Sequence, residues 1–415
     1  MQLKVTAPAR MQTTIILPSS KSISNRVLII NALSGATNMP ENISDCDDTR
    51  VMVKALTQDA PVADIMAAGT AMRFLTAYFA ATTQTEKAIT GTERMQQRPI
   101  QILVNALRHL GADIAYAKNE GFPPLIIRGK ELTQSEVCLK GNVSSQYISA
   151  LLMIGPIMKQ GLRLTLEGEI ISRPYINLTL RLMSDFGAKA YWMNEREIVV
   201  EPQPYRPIPF TVESDWSAAS YWYEIMALME DPQAEVTLPG LFSDSYQGDC
   251  AVAKLFEQLG VCTIFNPQNK CVTLKKGGER TKRMEYDFIN QPDLAQTFVV
   301  TCALLNIPFR FTGLQSLKIK ETDRMAALIR EMEKLGYRLT EEEGKTLVWE
   351  GEKCQPESPV VIDTYEDHRM AMAFAPTCLK FSNLHINNPE VVSKSYPHYW
   401  ENLKKAGFML EETTR

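Results

Sequence analysis

Cationic and acidic residues recur in this chain beside the starts of apolar segments. Six cations stand at such starts and two lie in polar stretches nearby: Lys21, Arg26, Arg73, Lys320, Arg324 and Arg369, with Arg98 and Lys394. The acids interleaved with them are Asp293, Glu321 and Asp367. Arginine and lysine bind carboxylates and phosphates, and a carboxylate among cations could transfer protons. The pattern predicts a site where acid–base chemistry is done on anionic substrates.

Each of these residues also has a purely structural interpretation. A single lysine or arginine is more often a solvated surface cation than a ligand. Asp293 and Asp367 could simply cap helices, and Glu321 could pair with Lys320 or Arg324. The recurrence of cations beside successive helix starts favours a binding site over these alternatives.

The first cationic stretch, PSSKSISNR at residues 18–26, resembles a phosphate-binding loop without glycines. A Walker-type loop needs glycines so that its backbone amides can wrap the phosphates, which argues against a nucleotide site. Ser19 or Ser20 can instead cap a helix that begins near Lys21, and free amides at a helix start attract anions. The alternative is a capped surface helix with solvated cations.

Two sets of landmarks repeat along the chain at intervals of 71 to 76 residues. Five helical patterns end at a glycine, as expected for a helix C-cap: Gly111, Gly187, Gly260, Gly336 and Gly407. Five polar clusters precede apolar helices at a similar spacing: Thr70, Ser144, Ser217, Asp293 and Asp367. Residues 18–33 begin this series, so the sequence predicts six α/β units.

The apolar body of each helix predicts that the helix is buried. Its polar start should then lie at a rim where several helix ends converge, and helix dipoles would attract anions there. The alternative is a repeat protein with a closed core and nothing bound at the rim. The cations at the helix starts argue against that alternative.

Composition limits the classes of function. A chain of 415 residues with 45% hydrophobic and 22% charged residues is expected to form a soluble protein of two or more domains. The net charge of −4 gives no basic surface for nucleic acid, and the longest apolar stretch, residues 150–158, is too short to span a membrane. The eight cysteines and four histidines lack metal-ligand spacing, and the N-terminus lacks an apolar signal core. We therefore expect a cytoplasmic protein without a metal.

Nine ordered motifs carry a resemblance that runs along the whole chain: PSSKSISNR, AAGTAMRFL, RMQQRPI, NVSSQYISALL, ISRPYI, PDLAQT, KIKETDRM, EDHRMAM and SKSYPHYW. In these motifs the chain resembles the 5-enolpyruvylshikimate-3-phosphate synthase family, the 3-phosphoshikimate 1-carboxyvinyltransferases. The resemblance implies transfer of the enolpyruvyl group of phosphoenolpyruvate to the 5-hydroxyl of shikimate 3-phosphate, with release of phosphate, in aromatic amino acid biosynthesis. It implies these small-molecule substrates and no cofactor, and we expect a monomer.

The same resemblance implies a fold. It is an α/β fold of two domains, an inside-out α/β barrel built from six βαβαββ repeats, three per domain. The chain would cross between the domains twice, so that residues 1–18 and 214–415 form a discontinuous domain and residues 19–213 a continuous one. The helix starts of both domains would face the cleft between them, where the active site is expected.

Carried over motif by motif, the resemblance assigns site residues. Shikimate 3-phosphate is expected at Lys21, Ser22, Arg26, Ser144, Ser145, Gln146, Ser172, Tyr175, Asp293, Ser316 and Lys320. Phosphoenolpyruvate is expected at Lys21, Gly69, Arg98, Gln146, Arg324, Arg369 and Lys394. The implied reaction is an addition followed by an elimination. Asp293 would activate the hydroxyl, Glu321 would move protons at carbon and Lys21 would share in proton movement, with the division of steps between the two acids left open.

Three positions depart from the residues that many family members carry. Ala67 and Ser316 each replace an asparagine, and Phe74 replaces a proline. Phe74 adds bulk to the first turn of a predicted helix, and we expect it to shift Gly69.

Two alternative functions remain beside this one. The sister enolpyruvyl transferase that acts on UDP-N-acetylglucosamine typically carries a catalytic cysteine in the loop before its Arg-Pro, but residues 91–99, GTERMQQRP, contain none. The other alternative is a non-catalytic anion-binding protein of the same fold. The presence of Asp293, Glu321 and Lys394 together argues against it.

Overall fold

The computed structural model describes residues 1–82 and 85–413. The chain divides into two compact units, a discontinuous unit of Met1–Pro18 with Glu213–Arg415 and a continuous unit of Ser19–Val212. Glu213 falls in the discontinuous unit, just before the predicted boundary. Its Oε1 accepts hydrogen bonds from Tyr246 N and Gln247 Nε2 at 3.2 and 3.0 Å.

The described residues form helices throughout both units. The α-helices are α1 (Lys21–Leu33), α2 (Asp47–Thr57), α3 (Gly69–Thr82), α4 (Glu93–Gln96), α5 (Gln101–Leu110), α6 (Ser145–Ile154), α7 (Arg173–Asp185), α8 (Trp216–Leu228), α9 (Val252–Glu257), α10 (Ala295–Leu304), α11 (Arg324–Lys334), α12 (His368–Phe374) and α13 (Tyr399–Lys405). Short 3₁₀ helices span Gly155–Ile157, Gly248–Ala251, Pro292–Leu294, Gln315–Ile319, Ala375–Leu379 and Pro389–Lys394.

The strands are short and lie between these helices. They are β1 (Gln2–Thr6), β2 (Gln12–Thr14), β3 (Val62–Asp64), β4 (Glu86–Thr90), β5 (Asp113–Tyr116), β6 (Leu125–Arg128), β7 (Glu136–Lys140), β8 (Leu162–Glu167), β9 (Ala190–Asn194), β10 (Glu197–Val200), β11 (Glu235–Pro239), β12 (Val261–Asn266), β13 (Cys271–Lys276), β14 (Met284–Asp287), β15 (Phe309–Thr312), β16 (Thr340–Glu342), β17 (Thr346–Trp349), β18 (Val360–Ile362), β19 (Leu384–Asn387) and β20 (Met409–Thr413).

One supersecondary unit recurs in both parts of the chain. In the clearest example, β7 pairs in parallel with β8, and the hairpin of β9 and β10 then adds antiparallel to β8. The order β7-β8-β10-β9 has the same form as β3-β4-β6-β5, β14-β15-β17-β16, β2-β11-β13-β12 and β18-β19-β1-β20. An α-helix lies between the two parallel strands in four of these sheets, whereas the whole continuous unit and α8 lie between β2 and β11. These are the predicted βαβαββ repeats.

The last repeat is completed by the N-terminus of the chain. Strand β1 lies between β19 and β20, with Leu3 opposite Ile386 on one side and opposite Glu412 on the other. Both ends of the chain are therefore tied into one sheet of the discontinuous unit.

The first repeat of the continuous unit is incomplete. It has the helices α1 and α2, but its described residues form only an isolated bridge, Glu41 with Thr211, instead of a four-stranded sheet. Helix α2 ends at Gln58 in an extended conformation, without the left-handed glycine that ends α5. The sequence of this repeat is correspondingly short and contains no glycine from Ala36 to Ala68.

Buried helices form the core of each unit, as the apolar runs predicted. Helices α1, α3 and α6 contact one another in the continuous unit, and α8, α10 and α12 do so in the discontinuous unit. Every residue of α10 is buried. The five predicted helix-ending glycines all have positive φ, from 83° for Gly260 to 111° for Gly111, a conformation that favours glycine.

Glu224 is an exception within this apolar core. It lies in α8 at 0% exposure, and neither carboxylate oxygen has a hydrogen-bond partner among the described residues. Burial raises the pKa of this carboxyl well above its usual range. Burial therefore favours the neutral acid form of Glu224 in the folded protein.

We expect Glu224→Gln to change the pH dependence of stability. The pKa of Glu224 is higher in the folded than in the unfolded protein. Its contribution to the free energy of unfolding is therefore fully present below the unfolded pKa of about 4.3, and it is lost as the pH rises toward the folded pKa. The slope is about 1.4 kcal/mol per pH unit. Urea unfolding from pH 5 to 8 should show the free energy of unfolding of the variant rising relative to wild type. Glu257→Gln, at an exposed glutamate, is the control. If the free energy of unfolding relative to wild type is independent of pH for both variants, the raised pKa of Glu224 is contradicted.

Candidate active site

An acid–cation cluster lies in the discontinuous unit. We use this name for the carboxylates of Asp293, Glu321 and Asp367 together with the cations Lys320, Arg324, Arg369 and Lys394. Its members come from helix starts, from short 3₁₀ segments or, for Lys320 and Glu321, from the link between the 3₁₀ helix Gln315–Ile319 and α11. Asp293 lies in Pro292–Leu294 before α10, Arg324 is the first residue of α11, and Asp367 is the N-cap of α12.

Arg324 is the centre of the cluster. Its side chain is almost fully buried, and its three guanidinium nitrogens donate to three acids. Nε donates to Asp367 Oδ2 at 2.6 Å, NH1 to Asp293 Oδ1 at 3.1 Å and NH2 to Glu321 Oε2 at 2.8 Å. Burial alone would lower the pKa of Arg324, but the three carboxylates together hold it above its usual range. One planar cation thus fixes three acids at once.

Asp293 is held as a carboxylate by three cations. Arg369 NH2 donates to Asp293 Oδ2 at 2.8 Å. Lys320 Nζ lies 3.5 Å from the other carboxylate oxygen, Oδ1, which also accepts from Arg324. Burial opposes ionisation, but Arg369, Lys320 and Arg324 outweigh it and hold the pKa of Asp293 well below its usual range.

For each acid, the structure shows whether the structural interpretation, a helix cap or a local ion pair, is correct. Leu294, not Asp293, is the N-cap of α10, so the capping interpretation of Asp293 is wrong. Asp367 does cap α12, because its Oδ1 accepts from Arg369 N at 2.9 Å, and it also pairs with Arg324. Glu321 pairs with Arg324, as one structural alternative predicted, and Lys394 Nζ also lies 3.2 Å from its Oε1.

Cations outnumber acids in the cluster, and two of them reach solvent. The side chain of Lys320 is 31% exposed and that of Lys394 is 15% exposed. Lys394 is the last residue of the 3₁₀ helix Pro389–Lys394. The excess of four cations over three acids makes this cluster suitable for an anion.

The continuous unit brings a second set of predicted residues to helix starts. Ser20 caps α1, whose first residue is Lys21, and Ser144 caps α6, accepting from Gln146 N at 3.4 Å. Ser172 is the N-cap of α7 with φ 56° and ψ 36°, and its side chain makes no capping bond. A left-handed serine is strained, and such strain often occurs at functional sites.

Arg26 is a buried cation in this unit. It is 2% exposed, Nε donates to Thr179 Oγ1 at 2.7 Å, and NH2 donates to Ser149 Oγ at 3.1 Å. Burial lowers its pKa to about 10, with Tyr175 acting in the opposite direction, so Arg26 is charged at neutral pH. Its partners among the described residues are neutral oxygens, including Ser22 O at 2.9 Å, and none is an acid. A buried cation without a counter-ion favours the binding of an anion.

Gly69 lies where two arginines approach the backbone. Arg73 NH1 donates to Gly69 O at 2.9 Å, and a Cβ built on Gly69 would lie 2.7 Å from Arg98 NH1. Gln146 Nε2 donates to Thr70 Oγ1 at 3.1 Å, next to Gly69 in α3. The structure therefore brings together Gly69, Arg98 and Gln146, which the sequence assigned to one ligand.

The remaining predicted residues lie near these sets. Ser145 is the first residue of α6, and Tyr175 lies in the first turn of α7. Ser316 is half-buried in the 3₁₀ helix Gln315–Ile319, and none of the hydrogen bonds found for the described residues joins its side chain to the acid–cation cluster.

Several residues of these sites were missed by the sequence reasoning. Ser149 and Thr179 hold Arg26. The signal for Ser149 was a lone polar residue in the apolar body of α6, whereas Thr179 lies among other polar residues of α7 and gave no such signal. Tyr221 OH accepts from Arg369 NH1 at 3.3 Å, and burial raises the pKa of Tyr221 to about 12. Asp249 accepts from the Ser217 hydroxyl, and burial, followed by the charge of Asp293, raises its pKa to about 7.

In the described part of the chain, no helix is both long enough and apolar enough to cross a membrane. Within the same residues, no group of three or more histidine, cysteine, aspartate or glutamate side chains could hold a metal ion. All eight cysteines are free thiols.

Comparison with known proteins gives a consistent result. The family described as EPSP synthase (3-phosphoshikimate 1-carboxyvinyltransferase) matches residues 5–58 and 57–403. A 3-phosphoshikimate 1-carboxyvinyltransferase of Bacteroides fragilis is 63% identical over 408 residues, which cover 98% of each chain.

Solved structures share the fold at lower identity. The EPSP synthase of Acinetobacter baumannii superposes with a TM-score of 0.79 at 20% identity, over 99% of this chain and 100% of that one. The enolpyruvyl transferase NikO of Streptomyces tendae has a TM-score of 0.72 at 17% identity, over 100% of this chain and 99% of that one. They confirm the predicted two-domain inside-out α/β fold. The family match and the 63% identity show that this chain belongs to the EPSP synthase family, the 3-phosphoshikimate 1-carboxyvinyltransferases.

Proposed function

We propose that this protein transfers the enolpyruvyl group of phosphoenolpyruvate to the 5-hydroxyl of shikimate 3-phosphate and releases phosphate. The observation that carries the proposal is the acid–cation cluster, in which Arg324 holds Asp293 and Glu321 beside cations that exceed the acids in number. Family membership and the 63% identical relative support the choice of substrates. The reaction belongs to aromatic amino acid biosynthesis.

The proposed ligands of each substrate are the residues that the resemblance to the family assigns. Shikimate 3-phosphate binds the residues at the starts of α1, α6 and α7 together with members of the cluster: Lys21, Ser22, Arg26, Ser144, Ser145, Gln146, Ser172, Tyr175, Asp293, Ser316 and Lys320. Phosphoenolpyruvate binds Lys21, Gly69, Arg98, Gln146, Arg324, Arg369 and Lys394. The buried charge of Arg26 without an acidic partner suits the shikimate carboxylate, and the serines at helix starts suit the phosphate.

The cations are needed because both substrates are anions. Each substrate carries a carboxylate and a phosphate, and a phosphate monoester has about −1.5 to −2 charges at neutral pH. Two like charges about 4 Å apart repel by about 4 kcal/mol at an effective dielectric constant near 20. Arginines and lysines on both substrates offset this repulsion, so the hydroxyl can approach the enol carbon.

The chemistry is an addition followed by an elimination. The 5-hydroxyl oxygen bonds to the phosphate-bearing carbon of phosphoenolpyruvate, and the methylene carbon gains a proton, which gives a tetrahedral ketal phosphate. The carbon–oxygen bond to phosphate then breaks, and the methyl group loses a proton to restore the double bond. Asp293 accepts the hydroxyl proton, Glu321 moves the proton at carbon, and Lys21 shares in proton movement.

Substrate binding itself activates Asp293. In the protein alone, Arg369, Lys320 and Arg324 keep the Asp293 carboxylate weakly basic. When the anions of the substrates bind the same cations, less positive charge acts on Asp293, and its pKa rises toward that of an effective base.

Phosphate release tests the proposal directly. The protein is incubated with phosphoenolpyruvate and either shikimate 3-phosphate, UDP-N-acetylglucosamine or no acceptor. We expect release only with shikimate 3-phosphate. Release only with the UDP-sugar would identify the sister activity, and no release with either acceptor would favour an anion-binding protein.

We propose a cytoplasmic monomer that needs no cofactor.

Gly69→Ala is expected to weaken phosphoenolpyruvate binding. The added methyl group would lie 2.7 Å from Arg98 NH1, so the guanidinium must move away from its ligand. Loss of a hydrogen bond to a charged group corresponds to an increase in the KM for phosphoenolpyruvate of about 10- to 100-fold. The KM for shikimate 3-phosphate should change much less. Gly277→Ala, where a Cβ meets only an ordinary contact at 3.4 Å, is the control. Equal increases in both KM values would contradict the prediction.

A further inference from the structure

The ring of Phe74 lies against the Arg26 guanidinium. Phe74 is in α3 and is 0% exposed, and its ring centroid is 5.2 Å from Arg26 Cζ. The sequence suggested that this residue would act on Gly69 in the same helix. The contact found instead joins α3 to a cation of α1.

The other contacts of Arg26 lie along the edge of its guanidinium plane. Thr179 Oγ1, Ser149 Oγ and Ser22 O accept from Nε, NH2 and NH1. Ser149 and Thr179 are themselves hydrogen-bonded at 2.8 Å, so these acceptors form one connected group. They are neutral, and they fix the edge of the guanidinium without neutralising its charge.

An aromatic ring supplies the stabilisation that this cation lacks. The negative face of a ring attracts a cation, and the attraction is strongest where water is excluded, as it is at this fully buried ring. Because the ring is not a hydrogen-bond acceptor of the carboxylate type, it leaves the charge of Arg26 available to an anion. A carboxylate in its place would neutralise Arg26 and compete with that anion.

We propose that Phe74 is a positioning residue for shikimate 3-phosphate, whose ring holds the Arg26 guanidinium in the orientation that binds the substrate carboxylate. This inference rests on the proposed function. It predicts that Phe74 acts on the affinity for shikimate 3-phosphate and leaves the affinity for phosphoenolpyruvate almost unchanged.

The test combines steady-state kinetics with calorimetric binding of shikimate 3-phosphate. Phe74→Leu keeps an apolar side chain but removes the ring, and Phe74→Tyr keeps the ring. A buried cation–π contact corresponds to an increase of about 5- to 30-fold in the KM and Kd for shikimate 3-phosphate in the leucine variant. The kcat and the KM for phosphoenolpyruvate should stay within about twofold. The tyrosine variant should lie closer to wild type than the leucine variant.

Phe79→Leu is the matched control, because Phe79 is in the same helix and is 4% exposed. It should leave the KM for shikimate 3-phosphate unchanged. If Phe74→Leu does not fold, 3,4,5-trifluorophenylalanine at position 74 keeps the ring shape while removing its negative face, and it should raise the Kd for shikimate 3-phosphate. Equal changes for both substrates, or an unchanged Kd with the fluorinated ring, would overturn the inference. A wild-type protein that neither binds nor converts shikimate 3-phosphate would instead reject the proposed function.

Discussion

Asp293→Asn should lower kcat by about 10²–10⁴-fold, the usual cost of removing a general base. The amide keeps the shape of the side chain but cannot accept the hydroxyl proton. Shikimate 3-phosphate should still bind, because its proposed ligand Lys320 loses only the carboxylate with which it pairs in the free protein. Phosphate release measures the first effect and calorimetry the second.

Asp323→Asn is the matched control for this experiment. Asp323 is also an acid near the start of α11, but its side chain accepts from Ala326 N at 3.0 Å as a helix cap. Asparagine is also a good cap, so its activity should stay close to wild type. A variant of Asp293 that kept half of the wild-type kcat would remove it from the mechanism.

Arg324→Met should destabilise the protein by about 3–5 kcal/mol, the usual cost of breaking a buried ion pair by removing one partner. Three acids lose the same cation at once, and Asp367 is 0% exposed. Urea unfolding at pH 7 measures the loss in the free energy of unfolding. Arg330→Met on the exposed side of the same helix should cost about 1 kcal/mol or less.

The pH dependence gives a second check on the Arg324 variant. The lowered folded pKa of Asp293 contributes stability above the unfolded pKa, and this contribution is lost as pH falls through the folded pKa. Without Arg324, ionised Asp293 contributes less stability, so the variant loses less than wild type on acidification. The difference in free energy of unfolding between the two proteins should therefore become smaller below about pH 4. Adding Asp367→Asn should also recover part of the loss, because it removes an uncompensated buried charge. If the difference in free energy of unfolding between variant and wild type stays constant with pH, the destabilisation arises from lost packing alone.

Periodic features of the fold were readable from the sequence. Apolar runs of helix length predicted the buried helices, and glycines at a regular interval predicted their left-handed ends, as Gly111 and Gly407 show. The incomplete repeat around α1 and α2 left a weaker signal, a short segment without such a glycine. The pairing of β1 between β19 and β20 joins the two ends of the chain, and local patterns do not contain that information.

The sequence predicted which types of residue form the candidate site, but it did not predict the contacts that these residues make. Sequence could not distinguish Asp293 as a helix cap from Asp293 as an ion-paired carboxylate, since both need an acid at the same position. Nor could it show that Phe74 faces Arg26, because the two residues lie in different helices and meet only after packing. Ser149 and Thr179 likewise gained their role from the buried cation between them.

The central claim, enolpyruvyl transfer by addition and elimination, is tested most directly by running the reaction in deuterium oxide. The protein is incubated with phosphoenolpyruvate and shikimate 3-phosphate, and the organic product is examined by proton NMR. Because the methylene carbon gains a solvent deuteron before the methyl group loses a proton or a deuteron, we predict an enolpyruvyl ether with deuterium in its vinyl group and an equal amount of inorganic phosphate. An ether without vinyl deuterium would contradict the mechanism, and phosphate release without any ether would contradict the transfer itself.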